Sequence, residues 1–363
     1  MPSSPEPIEA VSQRLDTFVS EQISYASTLG AEAESMAQAG AASLRGGKRL
    51  RARFLLTGCR AVERGSGPVP PAIEAAAIGV AAALEVFQAA ALVHDDLIDN
   101  SDTRRGHPAA HRALESAHRA SGWAGDAEAF GRSGAVLLGD LLVAWSDDLL
   151  EESLEEIPTA AATRRQYALM RRDVTIGQFL DVAEESAFAV HDDGTHAERA
   201  LRVASYKSAR YSIQKPLQIG AALAGADAAQ LDALGRFGHD IGMAFQLRDD
   251  VLGVFGDAAV TGKPSGDDLR EGKRTVLVAY AREALSADRR SALDAMLGDR
   301  TLDAEHIRDL QRTIVDTGAL ARTEELIAAY ERQADRALEG AALSAGAVAE
   351  LRALARAATQ RTS

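Results

Sequence analysis

Apolar positions recur with the 3.6-residue period of helices along almost the whole chain, and no stretch shows the two-residue alternation of a strand. Periodicity and breakers together predict helices over about 9–39, 48–63, 71–99, 108–119, 126–152, 159–186, 196–224, 226–255, 273–298, 303–316, 319–339 and 344–361. Ala-rich runs such as AAAIGVAAAL and ELIAAYERQADRALEGAAL support helix over strand, because Ala has the highest helix propensity. Gly and Pro gather in RGSGPVPP at 64–71, HDDGTH at 191–196 and GDAAVTGKPSGDD at 256–268, which read as loops. None is long or biased enough for an interdomain linker. The pattern therefore predicts an all-α chain with residues 8–363 forming a single domain. Residues 1–7, rich in Pro and Ser, have little to bury and are expected to be disordered. The most apolar stretch, Ala75 to Val93, is broken by Glu85 and Gln88 and reads as a buried helix rather than a membrane span.

Composition removes several classes of function. A formal net charge of -13 argues against a nucleic-acid partner, since neutralising phosphates requires clustered Lys and Arg. The single cysteine, Cys59, excludes a disulfide framework and a Cys-based zinc site, and suits a reducing cytoplasm. The start, MPSSPEPIEA, lacks the basic and apolar regions of an export signal.

What the helical pattern leaves unexplained is the charge in LVHDDLIDNSDTRRG at 92–106. On a helix Asp95 and Asp99 share a face, with Asp96 about 100° round. Like charges at that spacing repel unless a cation sits between them. Oxygen ligands without sulfur suit Mg²⁺, which completes its shell with water and substrate phosphate. A second pair, Asp249 and Asp250 in FQLRDDVLG, closes another apolar helix. Other aspartate pairs serve as controls. Asp192 and Asp193 lie in a loop without apolar flanks and read as solvated, whereas Asp147 and Asp148 have no basic neighbour and read as structural.

Cationic partners stand elsewhere in the chain. In LRGGKRLRARF, Gly46 and Gly47 lead into a helix whose first turns carry Lys48, Arg49 and Arg51. Close backbone approach, free N–H groups and positive charge together suit an anion as dense as diphosphate. Arg104 and Arg105 either pair with the first acidic motif or hold a diphosphate beside it. SYKSAR places Lys207 next to Ser208, and GKPSGDDLREGKRT supplies Lys263 and Lys273.

Taken in order, GGKRLR, DDLIDNSDTRRG, GQFLD, YKSAR, FQLRDDVLG and GK…GDDLREGKRT span about residues 40–280, and this series resembles the trans-isoprenyl diphosphate synthases of the polyprenyl synthetase family. The resemblance implies an isoprenoid synthase fold, about a dozen helices around a deep central cavity, working as a cytoplasmic homodimer. It implies head-to-tail condensation of isopentenyl diphosphate with an allylic diphosphate (dimethylallyl, geranyl or farnesyl), with three Mg²⁺ ions. By position, Asp95 and Asp99 would bind Mg²⁺ with Asp96 in support, and Asp249 would bind the third ion assisted by Asp250. Lys48, Arg51, Gln88 and Arg105 match the isopentenyl diphosphate site; Arg104, Lys207, Lys263 and Lys273 match contacts to the allylic diphosphate. Ser208 and Gln246 match positions facing the reacting carbon, and the released diphosphate would take the final proton.

Three positions depart from the family pattern: Gly253 at the third acidic position of the second motif, Ser208 where threonine is common, and Gln88 where many bacterial relatives carry histidine. Ala90 and Ala91 stand where short-chain relatives place aromatic residues as a pocket floor. Phe87 lies one turn, about 5 Å, below Ala91, a depth that predicts geranylgeranyl diphosphate as product, with farnesyl or longer polyprenyl diphosphates as alternatives. A class I terpene cyclase would need no GGKRLR and would normally carry a different second metal motif. A non-catalytic regulatory subunit would show damaged aspartate motifs.

Overall fold

The computed structural model describes residues 6–62, 69–256 and 265–360, and these are almost entirely helical. The chain divides into two compact units, Met1–Cys59 with Ser66–Ala160, and Arg60–Gly65 with Ala161–Ser363.

The first unit runs α1 (Pro7–Ser27), α2 (Ala31–Ser43), α3 (Leu50–Ala61, whose last two residues fall to the second unit), α4 (Pro71–Ile98), α5 (Ala110–Ala120) and α6 (Ala127–Ser153). The expected disordered start lies mostly outside the described residues; within them, Pro7 opens α1 at a position where its missing N–H costs nothing. The single helix expected over 9–39 is two: α1 ends at Ser27 with Thr28 as its C-cap, and Gly30, with φ +123°, is the N-cap from which α2 restarts. At its centre α4 is completely buried from Val80 to Leu84, and its small residues let α6 come close. The Ser146 hydroxyl of α6 donates to the Ala83 carbonyl at 3.0 Å, and Gly79 leaves the room that Ser153 fills. By length and composition α4 could cross a membrane, yet 78% of its most apolar window is buried inside the protein, as in a core helix.

Against the expectation of no strand, Thr103–Arg104 (β1) and His107–Pro108 (β2) pair antiparallel. Their two-residue loop is Arg105 and Gly106, both with positive φ (+54° and +77°), as a type I′ turn requires. No propensity signal marks strands of two residues. The backbone turn makes them.

In the second unit, α7 (Ala160–Ala187) is followed by α8 (His196–Val203), a π-helical segment (Ala204–Gln214), α9 (Lys215–Leu223) and α10 (Ala228–Phe255). Asp227 and Gln230 form a reciprocal capping box that starts α10. After it come α11 (Asp267–Glu271), α12 (Val276–Ala284), α13 (Ala287–Met296), α14 (Ala304–Asp316), α15 (Ala319–Ala337) and α16 (Ala345–Thr359). The helix expected over 273–298 is split at Leu285 and Ser286, where the chain turns extended with ψ 147° and 160°. Buried Leu285 anchors the break, and the Arg290 guanidinium satisfies the carbonyls of Arg282 and Leu285 that the lost helical turn frees. Leu247, Val251 and Val254 of α10 form one core with Leu269, Val276, Leu277, Ile307 and Ile314. That core fixes the face of α10 carrying the second aspartate pair.

Candidate active site

In the first unit α4 presents a half-exposed stripe of Gln88, Ala91, Leu92, Asp95 and Asp99, spaced three and four residues apart. The helix stops there: Asp99 is its C-cap and Asn100, with φ +52°, makes the left-handed exit that Asn tolerates. Asp96 points the other way and is 3% exposed. Its carboxylate accepts from Arg104 Nε at 2.8 Å and also from Arg104 Nη2, which lies 3.5 Å from Asp95 as well. Burial raises the Asp96 carboxyl above the usual range, and Arg104 pulls it back without cancelling the effect. Of the two outcomes open to Arg104, this structure shows pairing with the acidic motif.

Arg105 behaves differently. Its Nη1 donates to the Arg45 carbonyl at 2.9 Å, and its guanidinium lies over Gly47, where an added Cβ would stand 2.9 Å from Nη2. Gly46 and Gly47 both have positive φ, so this loop needs glycine for its turn as well as for its guest. Burial and the neighbouring Arg49, Arg104 and Arg51 push the Arg105 pKa down. Repulsion among cations is what a bound anion would relieve. One expectation needs correction: α3 begins at Leu50, so Lys48 and Arg49 precede its first turn. Arg49 takes the left-handed conformation (φ +50°) and is held by the Leu44 carbonyl at 2.9 Å and by Glu85 at 3.2 Å. Glu85 also accepts from the Ala52 N–H at 3.3 Å, so one of the supposedly free α3 donors is capped. In the sequence Glu85 only interrupts an apolar run; its role depends on contacts 33 and 36 residues away in the chain.

The second unit gathers Asp181, Lys207, Lys273, Gln246, Asp249 and Asp250. Lys207 Nζ lies 2.5 Å from Asp181, while Lys273 Nζ lies 3.8 Å from Asp181 and 3.7 Å from Glu185. Asp181 thus stands between two of the lysines that the motifs pointed to. It belongs to GQFLD, which carried no assigned role. Gln246 Nε2 donates to Asp250 at 2.7 Å. Asp250 is buried and its carboxyl is pushed well above the usual range, chiefly by burial and then by the charge of Asp268. Ser208 lies half-buried in the π-helical segment. Arg248, from the same motif, is clamped by Glu324 of α15 at 2.5 and 2.6 Å, which tethers α10.

Gly253 finds an explanation here. A Cβ on Gly253 would overlap the Asp268 carboxylate, so the place of the absent third acidic side chain is already taken by a carboxylate from the first turn of α11. Lys263 lies outside the described residues. Asp193, expected to be merely solvated, is half-exposed but bonds Arg282 at 3.2 Å and also Arg290. The sequence around it gave no sign of these arginines, which come from α12 and α13. Among the described residues no three His, Cys, Asp or Glu side chains converge into a closed metal cage. Mg²⁺ is usually held by one or two carboxylates and completed by water and phosphate, so open aspartate pairs fit it.

The sequence pattern of the polyprenyl synthetase family matches residues 33–314. The chain belongs to that family. Polyprenyl synthetases are trans-prenyltransferases, and this chain is an enzyme of that class. A geranylfarnesyl diphosphate synthase from Aeropyrum pernix is 32% identical over 80% of this chain and 82% of its own. A geranylgeranyl diphosphate synthase from Mycobacterium tuberculosis is 35% identical over 66% of this chain and 60% of its own. Among solved structures, a geranylgeranyl pyrophosphate synthase from Corynebacterium glutamicum, complexed with isoprenyl diphosphate and magnesium, is 39% identical; the match covers 98% of each chain with a TM-score of 0.89. The all-α polyprenyl synthetase fold expected from the motifs is the fold observed.

Proposed function

We propose that this polyprenyl synthetase condenses isopentenyl diphosphate with an allylic diphosphate (dimethylallyl, geranyl or farnesyl) to give geranylgeranyl diphosphate as its main product. Two oxygen-only aspartate pairs, each accompanied by Lys and Arg, carry this reading, together with likeness to a synthase whose crystals hold isoprenyl diphosphate and magnesium. Asp95, Asp99 and Asp249 would hold three Mg²⁺ ions in all, with Asp96 and Asp250 in support. Mg²⁺, when bound, stabilises the charge that develops on the leaving diphosphate. Lys48, Arg51, Gln88 and Arg105 bind isopentenyl diphosphate in this reading, and Arg104, Lys207, Lys263 and Lys273 the allylic diphosphate. Because Gln246 gives its N–H to Asp250, its amide oxygen, the negative end of the dipole, is the end left for the allylic cation. The Ser208 hydroxyl offers a second weak dipole. A stronger nucleophile there would trap the cation.

Product length rests on α4. Ala91 continues the half-exposed stripe of Asp95, whereas Ala90 is completely buried, so Ala91 is the position that leaves room for a growing tail. Phe87, 6% exposed, stands one turn below Ala91, and in this reading it closes that room. Incubating the protein with Mg²⁺, farnesyl diphosphate and labelled isopentenyl diphosphate should yield a C20 product. Products no longer than C15, or mainly C30 and above, would overturn the assignment. Phe87→Ala should lengthen the product while costing about 3–5 kcal/mol of stability. Diphosphate release from the allylic substrate alone would point to a cyclase instead.

A cytoplasmic homodimer is part of the proposal. Support comes from the lone buried thiol, Cys59, and from exposed large apolar side chains along one helix, α6, which carries Phe130, Val136 and Leu137, the last 59% exposed.

A further inference from the structure

The course from His196 to Leu223 is helical throughout, but its middle, Ala204–Gln214, is π-helical. A π turn is wider than an α turn, so its backbone bulges toward neighbouring helices and they must be small where it does. Here they are glycines. A Cβ on Gly177 of α7 would stand 2.7 Å from Lys207 Cα and closer still to Lys207 N and the Tyr206 carbonyl carbon. On α10, a Cβ on Gly242 would lie 2.6 Å from Ala209 Cα, and one on Gly238 the same distance from Gln214 Cα. These atoms are backbone and cannot swing aside as a side-chain end would.

Gly177 belongs to a longer device. Asp173, Gly177 and Asp181 are spaced four residues apart and so form one stripe along α7. Asp173 bonds Arg210 at 3.3 Å and Asp181 bonds Lys207 at 2.5 Å, with Gly177 receiving the Lys207 backbone between them. Lys207 is therefore held twice from the same helix, by its backbone and by its ammonium.

We propose that Gly177 and Gly242 are positioning residues: by seating the π-helical segment they set where Lys207 and Ser208 stand. This rests on the roles proposed above for those two side chains. A control is built into the fold. Gly235 also lies under close contact, but the atom that a Cβ would meet, at 2.5 Å, is Nε2 at the end of the flexible Gln218 side chain.

Gly177→Ala should lower kcat/KM for the allylic diphosphate by about 10²-fold, the cost of roughly an ångström of misplacement, and leave the KM for isopentenyl diphosphate within about twofold. Gly235→Ala should change neither. In a double-mutant cycle with Lys207→Ala, the effect of Gly177→Ala should nearly vanish, because it acts through a side chain no longer there. A crystal structure of Gly177→Ala should show Lys207 Cα displaced. Equal behaviour of Gly177→Ala and Gly235→Ala, or full additivity in the cycle, would refute the proposal. If Gly177→Ala gives no cooperative melt, the same cycle run with Gly242→Ala decides, and additivity there refutes it too. A wild-type protein without prenyltransferase activity would instead sink the functional reading, leaving the displacement of Lys207 as the test of the clasp.

Discussion

At the end of α4, Asp95 and Asp99 share an open stripe, and the third carboxylate, Asp96, turns inward onto Arg104, which arrives on a hairpin only a few residues further along the chain. On α10 the corresponding support comes from a distance: Gln246 and the core hold Asp250, and Asp268 of α11 fills the place of a side chain that Gly253 lacks. The first motif is thus nearly self-contained in sequence, while the second is assembled by tertiary packing. Substitutions should accordingly act locally at the first and spread at the second.

The largest effects should come from the carboxylates proposed to hold Mg²⁺. Asp95→Asn and Asp249→Asn should each lower kcat/KM by about 10³-fold, the scale of losing a charge-stabilising group at a developing diphosphate. Asp95→Asn should cost more, since it also removes one of the negative charges facing Arg104. Steady-state kinetics at saturating Mg²⁺ measure both, and a larger loss at Asp249 would reverse the comparison.

Next in size is Glu85, a buried carboxylate that supports the loop beside the first motif. Glu85→Ala breaks a buried ion pair with Arg49 and uncaps Ala52, and should cost about 3–5 kcal/mol in denaturant unfolding. Glu85→Gln, which still accepts from the Ala52 N–H, should cost less. Both should raise the KM for isopentenyl diphosphate, with the KM for the allylic substrate unchanged. An equal rise in the two would show that the loop is not specific to one substrate.

Gly253→Ala probes the assembled motif. Alanine is favoured over glycine in a helix by about 1 kcal/mol, so propensity alone predicts stabilisation. Overlap of the new Cβ with the Asp268 carboxylate predicts the opposite for function: about a tenfold increase in the Mg²⁺ concentration needed for half-activation, the scale of a disturbed support around a metal site. Unchanged Mg²⁺ dependence would show that Asp268 merely fills space.

These contrasts also explain what the sequence revealed. The helices were legible because amphipathic periodicity is a local signal, and the aspartate and Gly-Gly motifs because short-range spacing carries their chemistry. Glu85, Asp181 and Asp268 were not assigned: each acts on a residue 26 or more positions away, or across a contact that only the fold creates. The break at Leu285 carries no local signal for a related reason, since a buried leucine and the Arg290 guanidinium stabilise it without Gly or Pro. Asp193 looked solvated because its arginines lie on later helices.

The smallest expected effect concerns pH. His196 is buried against Glu184 and Asp193, with Nδ1 3.7 Å from Glu184 and Nε2 3.9 Å from Asp193; burial first, then Arg282, lower its pKa below the usual value despite those carboxylates. Above the ordinary histidine pKa of about 6.5 the ring is neutral in folded and unfolded chains alike, and its contribution to stability is fully present. As pH falls below that value the unfolded chain takes the proton before the folded one does, so stability is lost, at up to about 1.4 kcal/mol per pH unit. Glu184 lies on α7 beside Glu185, which pairs with Lys273, so the loss falls on the scaffold of the second motif. In the first unit His111 is similarly buried and its pKa similarly lowered, by burial and Arg112. Unfolding free energies of wild type and His196→Asn, compared between about pH 5 and 7, should converge toward acid as the wild type loses its advantage. Parallel curves would mean that His196 titrates alike in both states and that the second scaffold carries no acid sensitivity of its own.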